Sequence, residues 1–337
     1  MNLESFLSKY SKQVEPFILR LLVDRVNKQH QELAKYQILT GGKRLRPALA
    51  AICCQMLGGK IKDVLYPASG LEILHNYTLI VDDIIDHSSL RRRKQTLWAK
   101  FGTSISQCVA VDYSAAVFQA ANKSNDPVKA SELFARTLKT IMDGEIMDIL
   151  FEQAGREEES YIVKNRYKSI TEQDYFKMAG KKTASLFEAC CEAGGIAAYA
   201  KKAQIAALRN YGFNLGLAFQ ITDDILDIFG KEKNFGKVIG GDIAERKLGN
   251  IVILYALKEF RPPDKKRFLE ILRKKKISKN DIKKSVKIIE RTQARHKAEI
   301  LAKRFVQESK KSLKNLPQNE WNKLLSEMSD FVVVRRK

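Results

Sequence analysis

Leu79-Ile80-Val81-Asp82-Asp83-Ile84-Ile85-Asp86 is an apolar stretch that carries three carboxylates in five residues, and Phe219-Gln220-Ile221-Thr222-Asp223-Asp224-Ile225-Leu226-Asp227 repeats the plan. On a helix, positions i and i+4 share a face, so Asp82 projects with Asp86 and Asp223 with Asp227. An apolar helix does not bury several carboxylates unless cations compensate them. Two such faces turned toward each other would bind hard divalent ions through oxygen, with Mg2+ keeping open positions for phosphate.

The stretches around these motifs read as helices. Residues 2–36 have apolar positions at mostly three- and four-residue spacings, from Leu3 and Phe6 to Val26. Thr40-Gly41-Gly42-Lys43-Arg44-Leu45-Arg46-Pro47 follows, a glycine loop whose proline suits the first turn of the helix 48–57. Backbone N–H groups at that helix start, together with the basic side chains, make an anion site. A helix from about Pro67 to Asp86 carries the first aspartate motif, with His75 two turns before Asp82 and on roughly the same face. Beyond it, Arg91-Arg92-Arg93-Lys94 places four consecutive cations beside the aspartates. A metal–carboxylate cluster next to guanidinium groups suits a diphosphate.

Residues 103–121, 129–154 and 160–178 read as helical, Lys181-Lys182-Thr183 opens a helix over 184–194, and 203–229 reads as a helix pair ending in the second motif. A Gly/Lys-rich loop, 230–242, follows that motif as the Arg cluster follows the first. No stretch alternates as a strand does or has a hairpin turn. The expected fold is all-α: a single domain over 1–337, a large helical bundle around a central cavity, with a basic helical C-terminal part over 262–337.

Composition narrows the function. The chain has 337 residues and a net charge of +21. Residues 261–337 hold 24 Lys/Arg against 9 Asp/Glu, which leaves a net of only +6 for the rest. The excess implies an anionic partner: nucleic acid, a membrane surface or a phosphorylated substrate. The tail has few aromatic residues on which bases could stack, so no specific nucleic acid is expected and peripheral contact with an anionic membrane is preferred. The five cysteines, two adjacent pairs and Cys108, have no zinc or disulfide spacing and sit in Ala- and Leu-rich segments. They point to a reducing compartment. With neither a leader nor a bilayer-spanning apolar run in the sequence, the expected location is cytoplasmic.

From about residue 38 to 258 these motifs, in this order, resemble the trans-isoprenyl diphosphate synthases, the family of farnesyl and geranylgeranyl diphosphate synthases. The resemblance implies an all-α homodimer in which two aspartate motifs hold three Mg2+ per active site on an allylic diphosphate. It makes Asp82, Asp83, Asp86, Asp223, Asp224 and Asp227 the metal carboxylates. Lys43, Arg46, His75 and Arg92 then hold isopentenyl diphosphate. Arg91, Lys182 and Lys237 hold the allylic diphosphate, with Thr183, Gln220 and Lys247 close by. Asp82, Asp86, Lys182, Asp223 and Lys237 become the catalytic groups. The implied reaction condenses isopentenyl diphosphate with dimethylallyl, geranyl or farnesyl diphosphate.

Product length follows from the same helix. Tyr77, five residues before Asp82, lies about 7.5 Å deeper along it, and Thr78 beside it is small. An aromatic floor there resembles the archaeal-type geranylgeranyl enzymes and implies a C20 product. The alternatives are a C15 farnesyl product or a non-catalytic regulatory subunit. Five positions depart from the family pattern. Val81 stands for a His, Arg93 and Gln95 for a Gly and a Pro, Val111 for a Gly, and Gly249 for a Thr.

Overall fold

The computed structural model describes residues 2–230 and 240–334, and helices dominate it. In chain order they begin α1 Leu3–Val23, α2 Gln31–Leu39, α3 Leu45–Met56, α4 Ile61–Ile85, α5 Leu97–Phe101, α6 Thr103–Asn122 and α7 Pro127–Leu150. Then come α8 Ser160–Asn165, α9 Glu172–Ala179, a π-helical turn Gly180–Ala184, α10 Ser185–Ala197 and α11 Lys202–Phe229. Six more follow: Gly241–Ala244, Ile251–Glu259, Pro262–Leu272, Lys279–Ile289, Ala294–Ser312 and Glu320–Val334. By its contacts the chain divides into two compact units. One comprises residues 1–139, 185–213 and 308–330, the other 140–184, 214–307 and 331–337.

The first unit is assembled on α4. Val64, Ala68, Leu71, Ile73, Leu74 and Ile80 are all buried, so the helix is apolar around most of its circumference and belongs inside. It packs against α1, α3, α6 and α10. Gly70 makes one contact possible, since a Cβ there would lie 2.7 Å from the Phe134 ring. Between α3 and α10, a Cβ on Gly194 would lie 2.3 Å from the Ala50 carbonyl oxygen. Tyr113 donates its hydroxyl to Ala34 O at 2.7 Å and Tyr211 donates to Leu325 O at 2.7 Å, so both buried phenols are satisfied.

In the second unit, α9 opens on a capping box in which Thr171 and Asp174 exchange hydrogen bonds. That cap ends the continuous 160–178 helix expected from the sequence: residues 166–171 leave helical geometry and α9 starts afresh. Lys279–Ile289 opens on a second box, Ser278 with Asp281, and packs against Pro262–Leu272. The helix pair expected over 203–229 is one helix of 28 residues. Likewise α4 begins at Ile61, two turns before Pro67, which is held inside the helix instead of starting it.

One expectation about strands fails. Leu90–Arg91 (β1) and Lys94–Gln95 (β2) pair antiparallel as a minimal hairpin. Strands of two residues are too short to alternate, and the turn lacks the usual Asn-Gly. Its central residues are Arg92 and Arg93, at φ +53° and +64°, the signs a type I′ turn requires. Left-handed backbone costs an L-residue about 1–2 kcal/mol, and a glycine at 93 would avoid that cost. Surrounding bonds hold the turn in place. Tyr36 donates to Gln95 O at 2.8 Å, Lys94 Nζ to Leu39 O at 3.0 Å, and Arg92 to Gly41 O. Arg93→Gly is therefore expected to stabilise the protein by up to about 1 kcal/mol, seen as a higher urea midpoint. A lower midpoint would show that the Arg93 side chain contributes more than its backbone costs.

Candidate active site

In the first unit the site grows from the C-terminal turn of α4. Asp82 and Asp86 lie one turn apart and partly exposed, whereas Asp83, rotated toward the core, is 2% exposed. The chain leaves the helix through His87 at φ +51° and the hairpin carries Arg91 back over the carboxylates. Arg91 Nε donates to both Asp83 oxygens at 2.9 Å, and an Nη2 hydrogen reaches Asp82 Oδ2 at 3.1 Å. Burial opposes the guanidinium charge, but Asp83, then Asp82 and Asp86, hold Arg91 above its ordinary value. Arg91 thus engages Asp83 fully and Asp82 through one oxygen, while Asp82 and Asp86 form the outward face.

Next to this face stands a cluster of cations. Arg46 donates from Nη1 to His75 Nε2 at 3.0 Å and its guanidinium lies 4.9 Å over the Phe187 ring. Arg92 lies against Gly42, and Lys43 is exposed in the same loop. Burial, then the Arg46, Arg92, Arg91 and Arg44 guanidinium groups, push His75 well below its ordinary value. It is neutral, and Nε2 serves as the acceptor for Arg46. Burial is also the main reason that Arg92 falls to about 10, with Arg44, Arg91 and Arg46 adding to the drop, so it stays charged at neutral pH. Like charges crowded in this way attract an anion.

Arg44, which sequence reasoning passed over, sets the loop. Buried and left-handed at φ +49°, it donates to Glu72 Oε1 at 3.1 Å, Glu15 Oε2 at 3.2 Å and Ile38 O at 2.8 Å. The signal was Glu72, an acid set among apolar residues of α4, which demands a buried cation. Tyr77 and Thr78 lie farther up α4, both partly exposed, with the Thr78 hydroxyl donating to His75 O at 2.8 Å.

The second unit repeats the division of labour on α11. Asp224 is 3% exposed: one oxygen accepts from Gln220 Nε2 at 2.8 Å and the other from Ile251 N at 3.0 Å. Burial and then the neighbouring Asp242 carboxylate push its carboxyl up. Thr183 is tied in through its hydroxyl, 2.5 Å from Gln220 Oε1. Asp227 accepts the N–H groups of Gly241 at 3.0 Å and Asp242 at 3.2 Å, at the start of the short helix Gly241–Ala244. Asp223 stands partly exposed.

Lys182 and Lys247 meet on a carboxylate that the sequence reading did not single out. Lys182 Nζ lies 2.7 Å from Asp148 Oδ2 and 2.8 Å from Glu145 Oε2, and Lys247 Nζ lies 3.1 Å from the same Asp148 oxygen. Burial would raise Asp148, but Lys182 and then Lys247 hold it below the usual carboxylate range. Gly144 lets α7 approach, since a Cβ there would lie 2.4 Å from Lys182 N. Gly249 has a reason as well: a Cβ would lie 2.8 Å from the Phe151 ring. Lys237 and the terminal Arg335-Arg336-Lys337 lie outside the described residues. Among the described residues, no three His, Cys, Asp or Glu side chains converge as a ready-made metal cage. The donor chemistry of each unit nevertheless fits a hard cation such as Mg2+: Asp82 and Asp86 in the first and Asp223 in the second are partly exposed oxygen donors, whereas Asp83 and Asp224 are buried against protein donors.

Comparison with known proteins agrees with this geometry. Residues 27–289 match the family model for polyprenyl synthetase. The chain belongs to the polyprenyl synthetase family. It is 34% identical to the geranylgeranyl diphosphate synthase of Saccharolobus solfataricus over 91% of this chain and 90% of that one. A short chain isoprenyl diphosphate synthase of Methanocaldococcus jannaschii is also 34% identical, over 80% of this chain and 79% of its own. The crystal structure of geranylgeranyl pyrophosphate synthetase from Pyrococcus horikoshii superposes with a TM-score of 0.86 at 28% identity, covering 99% of this chain and 98% of that one. The all-α expectation and the family resemblance both hold.

The depressed His75 pKa gives a pH dependence. Folded His75 binds fewer protons than the unfolded residue, so its contribution to stability is intact above the unfolded pKa of about 6.5 and is lost as pH falls below it. Wild-type unfolding free energy should decline below about pH 6.5, and His75→Asn should flatten part of that decline. Parallel pH profiles for the two proteins would show His75 to be solvated instead.

Proposed function

We propose that the chain condenses isopentenyl diphosphate with an allylic diphosphate and elongates it to the C20 all-trans geranylgeranyl diphosphate. One observation carries this reading. Within a single unit, an outward carboxylate pair, Asp82 and Asp86, stands beside a cation cluster built on Lys43, Arg46 and Arg92 around a neutral His75. That arrangement suits diphosphate chemistry and holds no activated nucleophile. The S. solfataricus relative supports the C20 product.

Asp82, Asp86 and Asp223 would hold Mg2+, three ions being the expectation, with Asp83, Asp224 and Asp227 shaping the two faces. When bound, the metal neutralises charge on the departing diphosphate. Lys182, Lys237 and Arg91 grip that diphosphate and stabilise the charge growing on its oxygens as the C–O bond ionises. Lys43, Arg46 and Arg92 hold isopentenyl diphosphate, and His75 fixes Arg46 through the bond at Nε2. The isopentenyl double bond attacks the allylic cation, which the apolar helical interior shields from water. The released diphosphate then takes the proton. Thr183, Gln220 and Lys247 support the allylic end.

We also propose that all 337 residues form one catalytic domain and that two copies associate through α6. That helix exposes Val111 and Phe118 at 68% and 56%, two turns apart on one face that carries no cation. Such a stripe fits a second copy of the chain, and sedimentation at monomer mass would contradict it.

The reaction is tested by supplying dimethylallyl, geranyl and farnesyl diphosphate separately with labelled isopentenyl diphosphate. All three should converge on C20, and recovery of the starters alone would overturn the assignment. Tyr77→Ala should lengthen the products beyond C20. An unchanged distribution would remove Tyr77 as the floor.

A further inference from the structure

The second unit carries a cationic surface that the reaction does not use. Residues 261–290 contain 12 Lys/Arg and 4 Asp/Glu. Helices Pro262–Leu272 and Lys279–Ile289 turn Phe268, Ile271, Leu272, Ile282, Ile288 and Ile289 inward. Their outer faces and the turn between them present Arg267, Lys275, Lys276, Lys279, Lys283 and Lys287, all exposed. None of these six has an acidic side chain within ion-pair distance among the described residues. Two of the four acids are used elsewhere: Asp281 caps its helix and pairs with Lys274, and Asp264 pairs with Arg291. Lys279, Lys283 and Lys287 stand at i, i+4 and i+8, an arrangement that disfavours the helix by mutual repulsion.

This face is also tied to the site. Arg246 Nη2 donates to Lys275 O at 2.7 Å and to Lys274 O at 3.1 Å, which fastens the basic turn to the segment that carries Lys247. Gly240, whose N–H donates to Asp227 O at 2.7 Å, sits against Ile282; a Cβ there would lie 2.4 Å from the Ile282 side chain.

We propose that this face docks the protein on an anionic membrane surface. The chemistry selects that partner over nucleic acid. The exposed cations are mostly lysines, compact charges suited to diffuse headgroup phosphate, whereas planar arginine forks suit base edges. The one aromatic residue of the two helices, Phe268, is buried, so no ring stands ready to stack on a base. Each cation near an anionic leaflet raises partitioning by about fivefold at moderate salt, so a patch of this size suffices without an inserted anchor. Its rationale rests on the reading above, whose C20 prenyl diphosphate has a long apolar chain and a charged head and so favours a bilayer.

The test is co-sedimentation of the full-length protein, without substrate, with vesicles containing roughly one-third phosphatidylglycerol or phosphatidylcholine alone. Wild type should bind the anionic vesicles and release at high salt. A Lys279→Gln, Lys283→Gln, Lys287→Gln variant should bind at least about tenfold more weakly, with unchanged helicity and unchanged turnover of soluble substrates. Equal binding to both vesicle types, or undiminished binding by the variant, would overturn the proposal. Displacement from the vesicles by duplex DNA at matched charge would reassign the face to nucleic acid. Loss of vesicle binding leaves the product assay untouched, so the two readings fail separately.

Discussion

A buried carboxylate on an apolar helix has to be neutralised, and α4 carries two of them. Glu72 and Asp83 are 3% and 2% exposed, and each draws in one arginine: Arg44 from the loop before α3 and Arg91 from the hairpin after α4. Removing one member of such a pair leaves a buried charge without its counter-ion, which costs about 3–5 kcal/mol. That cost fixes both loops against the same helix. Lys43 and Arg46 flank one anchoring arginine and Arg92 adjoins the other. Lys43, Arg46 and Arg92, all proposed for substrate, are thus placed by the buried Arg44 and the half-buried Arg91, the second of which is itself proposed to meet the allylic diphosphate.

The second unit solves the same problem with different partners. Asp224 is satisfied by Gln220 and the Ile251 N–H, and Asp148 draws Lys182 and Lys247 to one oxygen. In each DDxxD run the middle aspartate is a structural acceptor because it lies about 100° around the helix from the first, on the side that faces the core. Division between inward and outward carboxylates is what lets one helical turn both hold its loop and present carboxylate oxygens outward.

Much of this was legible in the residues. Spacing alone put Asp82 with Asp86, and the clustered arginines beside them named a phosphate partner. Spacing could not tell Asp83 and Asp224, which meet protein donors, from the outward aspartates, because that depends on which side of α4 and α11 is covered. Arg44 looked like one more cation in a basic loop until its partner on α4 was seen. The hairpin escaped because Arg-Arg is a poor type I′ signal, and Asp148 because a single acid on an amphipathic helix carries no pattern. Gly249 departs from the family pattern for a reason visible only in three dimensions, the Phe151 ring beneath it.

A double-mutant cycle on Asp83→Asn and Arg91→Gln, followed by urea unfolding, tests the central claim most directly. If the buried pair pins the hairpin, each single variant loses stability and the double variant recovers much of it. The expected coupling energy is about 2–3 kcal/mol. Additive losses, with a coupling below about 0.5 kcal/mol, would mean that the hairpin is held by its other bonds and that Asp83 does not organise the site.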